Sequence, residues 1–151
     1  EDDRLCLLKG IQDGTIDIIA TDHAPHSKGD KLNTFDAAPA GINGSETAMS
    51  IMLDLVNKNE LNLENIITSM CNNPGSILND ILNLKIGKIK KGFKADIAIL
   101  DEKYDVEITE DFFVSKSINS PLLRSFLKGK VNMTIFDGKI IYEDKEWKKY
   151  I

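Results

Sequence analysis

Residues 16–26 read IDIIATDHAPH. An apolar run rich in β-branched residues passes directly into an acid, a proline and two histidines. The run at 16–20 suits a strand buried on both faces of a parallel sheet, because such strands lack the polar alternation of half-exposed ones. In parallel α/β folds, ligands gather where strands end and loops begin. Asp22, His23 and His26 stand at such an end. The two histidines are the only ones in the chain.

The flanking sequence fits the same architecture. Leu5, Leu8 and Ile11 recur at helical spacing over 3–13, and Gly14 offers a stop. Residues 23–45 are rich in Gly, Pro, Asn, Asp and Ser and read as a long loop, a length that usually signals function. Residues 46–57 place Met49, Met52, Leu53 and Val56 on one side of a helix. Residues 63–71 read as another helix. Asn73-Pro74 reads as a cap with proline at the first helical position, opening a third helix over 74–82. Helix, strand, long loop and helix in succession predict an α/β barrel or an open α/β sheet.

The texture changes near residue 84. Gly87 and Gly92 punctuate KIGKIKKGFKADIAILD, whose lysine-rich part reads as a solvated turn and whose end, 95–101, reads as a strand. MTIF, Asp137-Gly138 and KIIY form a hairpin signature, since both central turn positions need positive φ. Two units follow: 1–82, α/β, and 83–151, mainly β. Met49, Met52 and Met70 are expected as core fillers. Trp147 is expected to pack the tail onto the body.

Hydrophobic residues make up 42% of the 151, enough for a folded core. Net charge is −5, and no Lys/Arg cluster is interleaved with aromatics. A nucleic-acid surface and a polybasic membrane anchor are therefore not expected. No apolar run has the length of a membrane span. Cys6 and Cys71 lie in apolar segments without CxxC spacing and read as reduced, buried thiols of a cytoplasmic protein. The opening EDDRL reads as the middle of a helix, as in a piece of a longer protein.

Local chemistry leaves the role of the polar cluster open. Asp22 suits a metal ligand or a general base, and equally a turn former or helix cap. His23, adjacent to it, reads best as a structural residue. His26 lies beyond Pro25, which stiffens the turn and fixes the ring. Glu46 opens a helix, where a carboxylate favours the dipole. There is no HxH pair, so this set alone does not complete a cage of three or four metal ligands.

A resemblance narrows these alternatives. DGTIDIIATDHAPH (13–26) is similar to the last barrel strand and following loop of bacterial dihydroorotases, in the amidohydrolase superfamily. The likeness continues through AAPAGINGSETA (37–48), NNPGSIL (72–78) and IGKIKKGFKADIAILD (86–101). SKSINSP (115–121) and LKGKVNMTIFDGKIIYE (127–143) complete it. ATDHAPH is its most specific part. Position 40 is Ala where this family commonly carries an aromatic residue.

The resemblance implies the C-terminal part of a metal-dependent (β/α)8 barrel over 1–82. It further implies the C-terminal strands of a flanking β domain over 83–151. It implies reversible hydrolysis of dihydroorotate to N-carbamoyl-L-aspartate in pyrimidine biosynthesis, with zinc as cofactor, one or two ions in the intact parent. Asp22 matches the aspartate that binds metal and moves the proton. His26 matches the histidine that holds the substrate carboxylate. Ala40 and Gly41 match positions whose backbone touches the substrate ring. The other metal ligands and the Arg and Asn that hold the carboxylate lie upstream in the family, so these 151 residues alone are expected to be inactive and to retain no zinc. A homodimer and an aspartate transcarbamoylase partner are both compatible with the family.

Two rival readings remain. One is another cyclic amidohydrolase, of hydantoinase, dihydropyrimidinase or allantoinase type. His26 argues against it, because a cation-capable ring suits a substrate bearing a carboxylate. The other is a non-catalytic dihydroorotase-like scaffold for aspartate transcarbamoylase. The intact Asp22 and His26 argue against that.

Overall fold

The computed structural model describes residues 1–147; the last four residues of the expected β unit, 148–151, lie outside the described residues. Helix α1 spans Asp2–Asp13, and Gly14 ends it in the left-handed conformation, as its sequence predicts. A short helix, α2 (Lys28–Lys31), interrupts the long loop. Helix α3 spans Ser45–Asn57, α4 spans Leu63–Ile67 and α5 spans Asn73–Leu82. Three antiparallel strands follow in the order β1 (Ile97–Glu107), β2 (Phe126–Phe136) and β3 (Lys139–Glu143).

Three sequence expectations are corrected. Residues 16–20 do not form a strand. Among the described residues the sheet is β1–β2–β3 and none of it pairs with this run. Its backbone bonds elsewhere: Ile16 N–H donates to the Gly10 carbonyl at 2.8 Å and Ile19 N–H to the Ser69 carbonyl at 3.1 Å. Nor does Asn73 cap a new helix. It has helical angles (φ −68°, ψ −49°), and a wide π-helical turn at Thr68–Asn72 joins α4 to α5. Pro74 lacks an N–H and crowds the preceding turn, and a π-turn absorbs such a defect without ending the helix. The Asn73 side chain instead donates to the Asp17 carbonyl at 2.9 Å. Third, Cys6 and Cys71 are free thiols as expected, but both are exposed rather than buried.

The hairpin forms as read, with Phe136 paired to Lys139 across Asp137 (φ 49°) and Gly138 (φ 76°). Strand β1 runs beyond the expected 101 to Glu107, with irregular pairing between Asp101 and Asp105. Lys88–Lys94 forms a largely exposed turn, its Phe93 N–H donating to the Lys90 carbonyl.

Helix α3 joins the two halves. Met49, Met52, Leu55 and Val56, with Met70, pack on a core of Leu8, Leu61 and Ile66. Its other side buries Thr47, Ser50, Leu53 and Asp54, so Leu53 does not share the methionine side as the sequence predicts; it faces β2, and Leu55 takes its place on the first core. There Leu53 meets the backbone of β2 at Gly129, and Asn57 donates to the Glu102 carbonyl at 2.6 Å. A second core of Val106, Ile108 and Phe113 holds the loop between β1 and β2. Trp147 is half-buried, and its N–H donates to Asp144 Oδ1 at 2.9 Å. No helix among the described residues is long and apolar enough to cross a membrane.

Candidate functional site

The polar cluster opens with a backbone reversal. Asp22 has φ +43°, the left-handed region, which Asp tolerates better than most residues. Its side chain is exposed and makes no hydrogen bond among the described residues. His23 turns away from it. Its Nδ1 accepts the N–H groups of Gly44 at 3.1 Å and Ser45 at 3.2 Å. Those donors are the orphans at the start of α3, whose own N-cap, Gly44, has no side chain to offer. His23 is thus a structural cap, as its position beside Asp22 suggests.

His26 is half-buried, and its Nε2 lies 2.8 Å from the Ala40 carbonyl. A carbonyl only accepts, so Nε2 carries the proton, and Nδ1 makes no hydrogen bond among the described residues. A neutral ring offers an acceptor there; a protonated ring offers a donor to a carboxylate. Nearby, Asp30 is held below the usual carboxylate range, chiefly by the Ser27 hydroxyl at 2.6 Å, with His26 adding to the effect.

Gly41 presses against the same turn. It has φ +127°, and a Cβ built there would lie 2.6 Å from Ala24 Cβ and 3.0 Å from His26 Nε2. Only glycine fits this approach. The structure thus brings together three of the four sequence candidates, His26, Ala40 and Gly41. No contact among the described residues ties the Asp22 carboxylate to them.

Four consecutive carbonyls, 39 to 42, are all accepting. Pro39 and Gly41 take Lys31 Nζ at 2.6 and 2.7 Å, and Ala40 takes His26. Gly41 also takes Asn119 Nδ2 at 3.1 Å, and Ile42 takes the Ala24 N–H at 2.9 Å. The N–H groups of Ala40, Gly41 and Ile42 carry no hydrogen bond among the described residues. A row of free donors beside an imidazole suits an oxygen-rich, anionic ligand. Sequence reasoning missed Lys31 and Asn119. Glu46 also does more than open a helix: its Oε1 accepts Val114 N–H at 2.6 Å and Ser115 N–H at 3.0 Å, bracing α3 against the loop after β1.

The profile of the amidohydrolase family matches residues 1–141. The chain belongs to the amidohydrolase family. It is 45% identical over 148 residues to a dihydroorotase of Clostridium acetobutylicum, covering 96% of this chain and 34% of that protein. It is 46% identical over 141 residues to a dihydroorotase of Clostridioides difficile, covering 93% of this chain and 32% of that protein. Among solved structures, an L-hydantoinase (dihydropyrimidinase) from Arthrobacter aurescens superposes with a TM-score of 0.82 at 29% identity, over 91% of this chain and 31% of that one. The chain thus spans about a third of the length of these relatives.

Among the described residues, no group of three or more His, Cys, Asp and Glu could hold a metal ion. The free, exposed carboxylate of this amidohydrolase chain's Asp22 fits one ligand of such a site. His23 Nδ1 is already committed to α3.

Proposed function

We propose that this chain is the C-terminal third of a dihydroorotase. Residues 1–82 form the end of its metal-dependent (β/α)8 barrel, and 83–151 the C-terminal strands of the flanking β domain. The observation that carries the reading is His26, locked through Nε2 to the Ala40 carbonyl with Nδ1 left for a ligand carboxylate. The identity of 45% to a dihydroorotase, against 29% to a hydantoinase, supports it.

The reaction adds water to the carbonyl carbon of the dihydroorotate ring, breaks the C–N bond and needs a proton at the departing nitrogen. Asp22 takes the proton from the attacking water and delivers it to that nitrogen, and its carboxylate also serves as one metal ligand. His26 holds the substrate carboxylate through Nδ1, while the free N–H groups at Ala40 and Gly41 meet the ring oxygens. Asp22 would be one ligand of a zinc ion, which when bound would supply Lewis acidity toward the amide and the attacking water. The remaining ligands belong to the part of the family's length that these residues do not span. A soluble cytoplasmic enzyme acting on this small molecule, as a homodimer or beside aspartate transcarbamoylase, completes the proposal.

The test joins the first two-thirds of the Clostridium acetobutylicum dihydroorotase to this chain and measures bound zinc and turnover. Turnover of dihydroorotate by the fusion, with none by the 151 residues alone, is the expected result. Turnover of hydantoin or dihydropyrimidine instead would favour the hydantoinase reading. A folded fusion that turns over neither would favour a scaffold.

A further inference from the structure

We infer that Lys31 and Asn119 are positioning residues that set the substrate-contacting strip at 39–42; this rests on the reading proposed above. Their geometry is specific. Lys31 is half-buried, and its ammonium bridges two carbonyls that flank Ala40, at Pro39 (2.6 Å) and Gly41 (2.7 Å). With Nε2 of His26 on the carbonyl between them, two side chains grip three successive carbonyls from one loop. Asn119 reaches the Gly41 carbonyl from the other half of the molecule, and its own carbonyl accepts the Asn43 N–H at 2.9 Å.

The consequence is a fixed peptide orientation. Peptide planes rotate as units, so anchoring the carbonyls of 39, 40 and 41 fixes the N–H groups of 40, 41 and 42. Those are the donors left free. A lysine serves better here than a neutral donor, because a charge-assisted bond to each carbonyl is stronger and one ammonium has three hydrogens. Two are used, and the positive charge remains beside a strip suited to anions. Asn119 follows Ile118, which packs on the second core, so the β-rich half takes part in shaping the strip.

The test uses Lys31→Met, Lys31→Arg and Asn119→Ala in two settings. In the 151-residue chain, hydrogen exchange is followed at the amides of Ala24 and Asn43, whose partners are the Ile42 and Asn119 carbonyls. Lys31→Met and Asn119→Ala should speed exchange at these amides, with Lys31→Arg between Lys31→Met and the parent. In the fusion described above, Lys31→Met should raise KM for dihydroorotate about tenfold or more with a smaller change in kcat, because a displaced donor weakens ground-state binding. Lys31→Arg should recover part of it. Unchanged exchange at both amides in Lys31→Met and Asn119→Ala would overturn the clamp. Faster exchange with an unchanged KM would overturn the positioning role. If the unsubstituted fusion turns over no dihydroorotate while the exchange effects are present, the dihydroorotase reading fails and the clamp stands.

Discussion

Replacing Gly41 by Ala tests the geometry of the site most directly. The substitution adds one methyl group and acts in two ways. At φ +127° an L-residue is strained, at a cost of about 1–3 kcal/mol. The new Cβ would also lie 2.6 Å from Ala24 Cβ, where carbon atoms settle at about 3.5–4.0 Å. Relieving that overlap of about 1 Å means shifting the turn at 24–26, and overpacking of this kind costs about 1–3 kcal/mol. The turn lies at the surface, so the second cost falls toward its lower end. A loss of about 3 kcal/mol is expected, or a Tm lower by about 6–12 °C at this chain length. Thermal and urea unfolding of the chain measure it. The neighbouring Ala40→Phe is the control. Position 40 is exposed, so its stability should change by less than about 0.5 kcal/mol. Equal stability of Gly41→Ala and the parent would show that Gly41 does not abut Ala24 and His26, and the proposed contact strip would lose its basis.

Other substitutions probe separate parts of the argument. Asp22→Asn keeps the left-handed turn, which Asn tolerates equally, and removes only the charge. Its melting temperature should match the parent while the fusion loses turnover by about a hundredfold or more, and a fusion that stays active would remove the proton-transfer role. Glu46→Ala should cost about 2 kcal/mol by chemical denaturation, since two N–H groups of the 113–115 loop lose a charged acceptor; Glu46→Gln should recover part. Leu53→Ala, at a fully buried position between α3 and β2, should cost about 2–5 kcal/mol in the same assay. Asp144 predicts an acid-side effect. Burial alone would raise its carboxyl, but the Trp147 N–H, the Lys130 ammonium and the Glu146 N–H outweigh that and hold it below its usual value. A depressed folded pKa means its stabilisation is present above the usual Asp value of about 4 and is lost as pH falls through the lower folded value. Asp144→Asn should therefore narrow the stability gap to the parent as pH drops through that window in an acid titration.

The helices and the hairpin were legible because their signals are local. Leu5, Leu8 and Ile11 mark one helix face, and Asp137-Gly138 supplies the two positive φ angles of a tight turn. Helix α3 was half legible. Its methionine side carries three of the four expected residues, but Leu53 turns to the side facing β2 among Thr47, Ser50 and Asp54, and polar residues announce no core. The run at 16–20 has the composition of a buried strand, yet a strand is defined by its neighbours, and none is present among the described residues. The π-turn was hidden because Asn-Pro is the same dipeptide whether it starts a helix or is carried through one.

The candidate site divides along the same line. Local pattern pointed to Asp22 and His26 at the end of an apolar run, and the resemblance to bacterial dihydroorotases implied their roles and added Ala40 and Gly41. Lys31 lies in the long loop and Asn119 in SKSINSP, but nothing in either stretch singles out the residue. Their partners are backbone carbonyls, which every residue carries, so no side-chain pairing betrays them; Asn119 reaches its partner across 78 residues of sequence. The backbone supplies the remaining clue, at Asp22. Among the described residues, six other than glycine have positive φ, and four of them are Asp or Asn. Asn83 ends α5 and Asp137 turns the hairpin, so local structure accounts for their angles. Asp22 follows no helix and sits in no hairpin. Its left-handed angle lies where the chain leaves the apolar run, and its carboxylate makes no hydrogen bond among the described residues. A positive φ that neither a helix end nor a hairpin explains, on a carboxylate four residues before His26, supports the proposed role of Asp22 over that of a simple turn former.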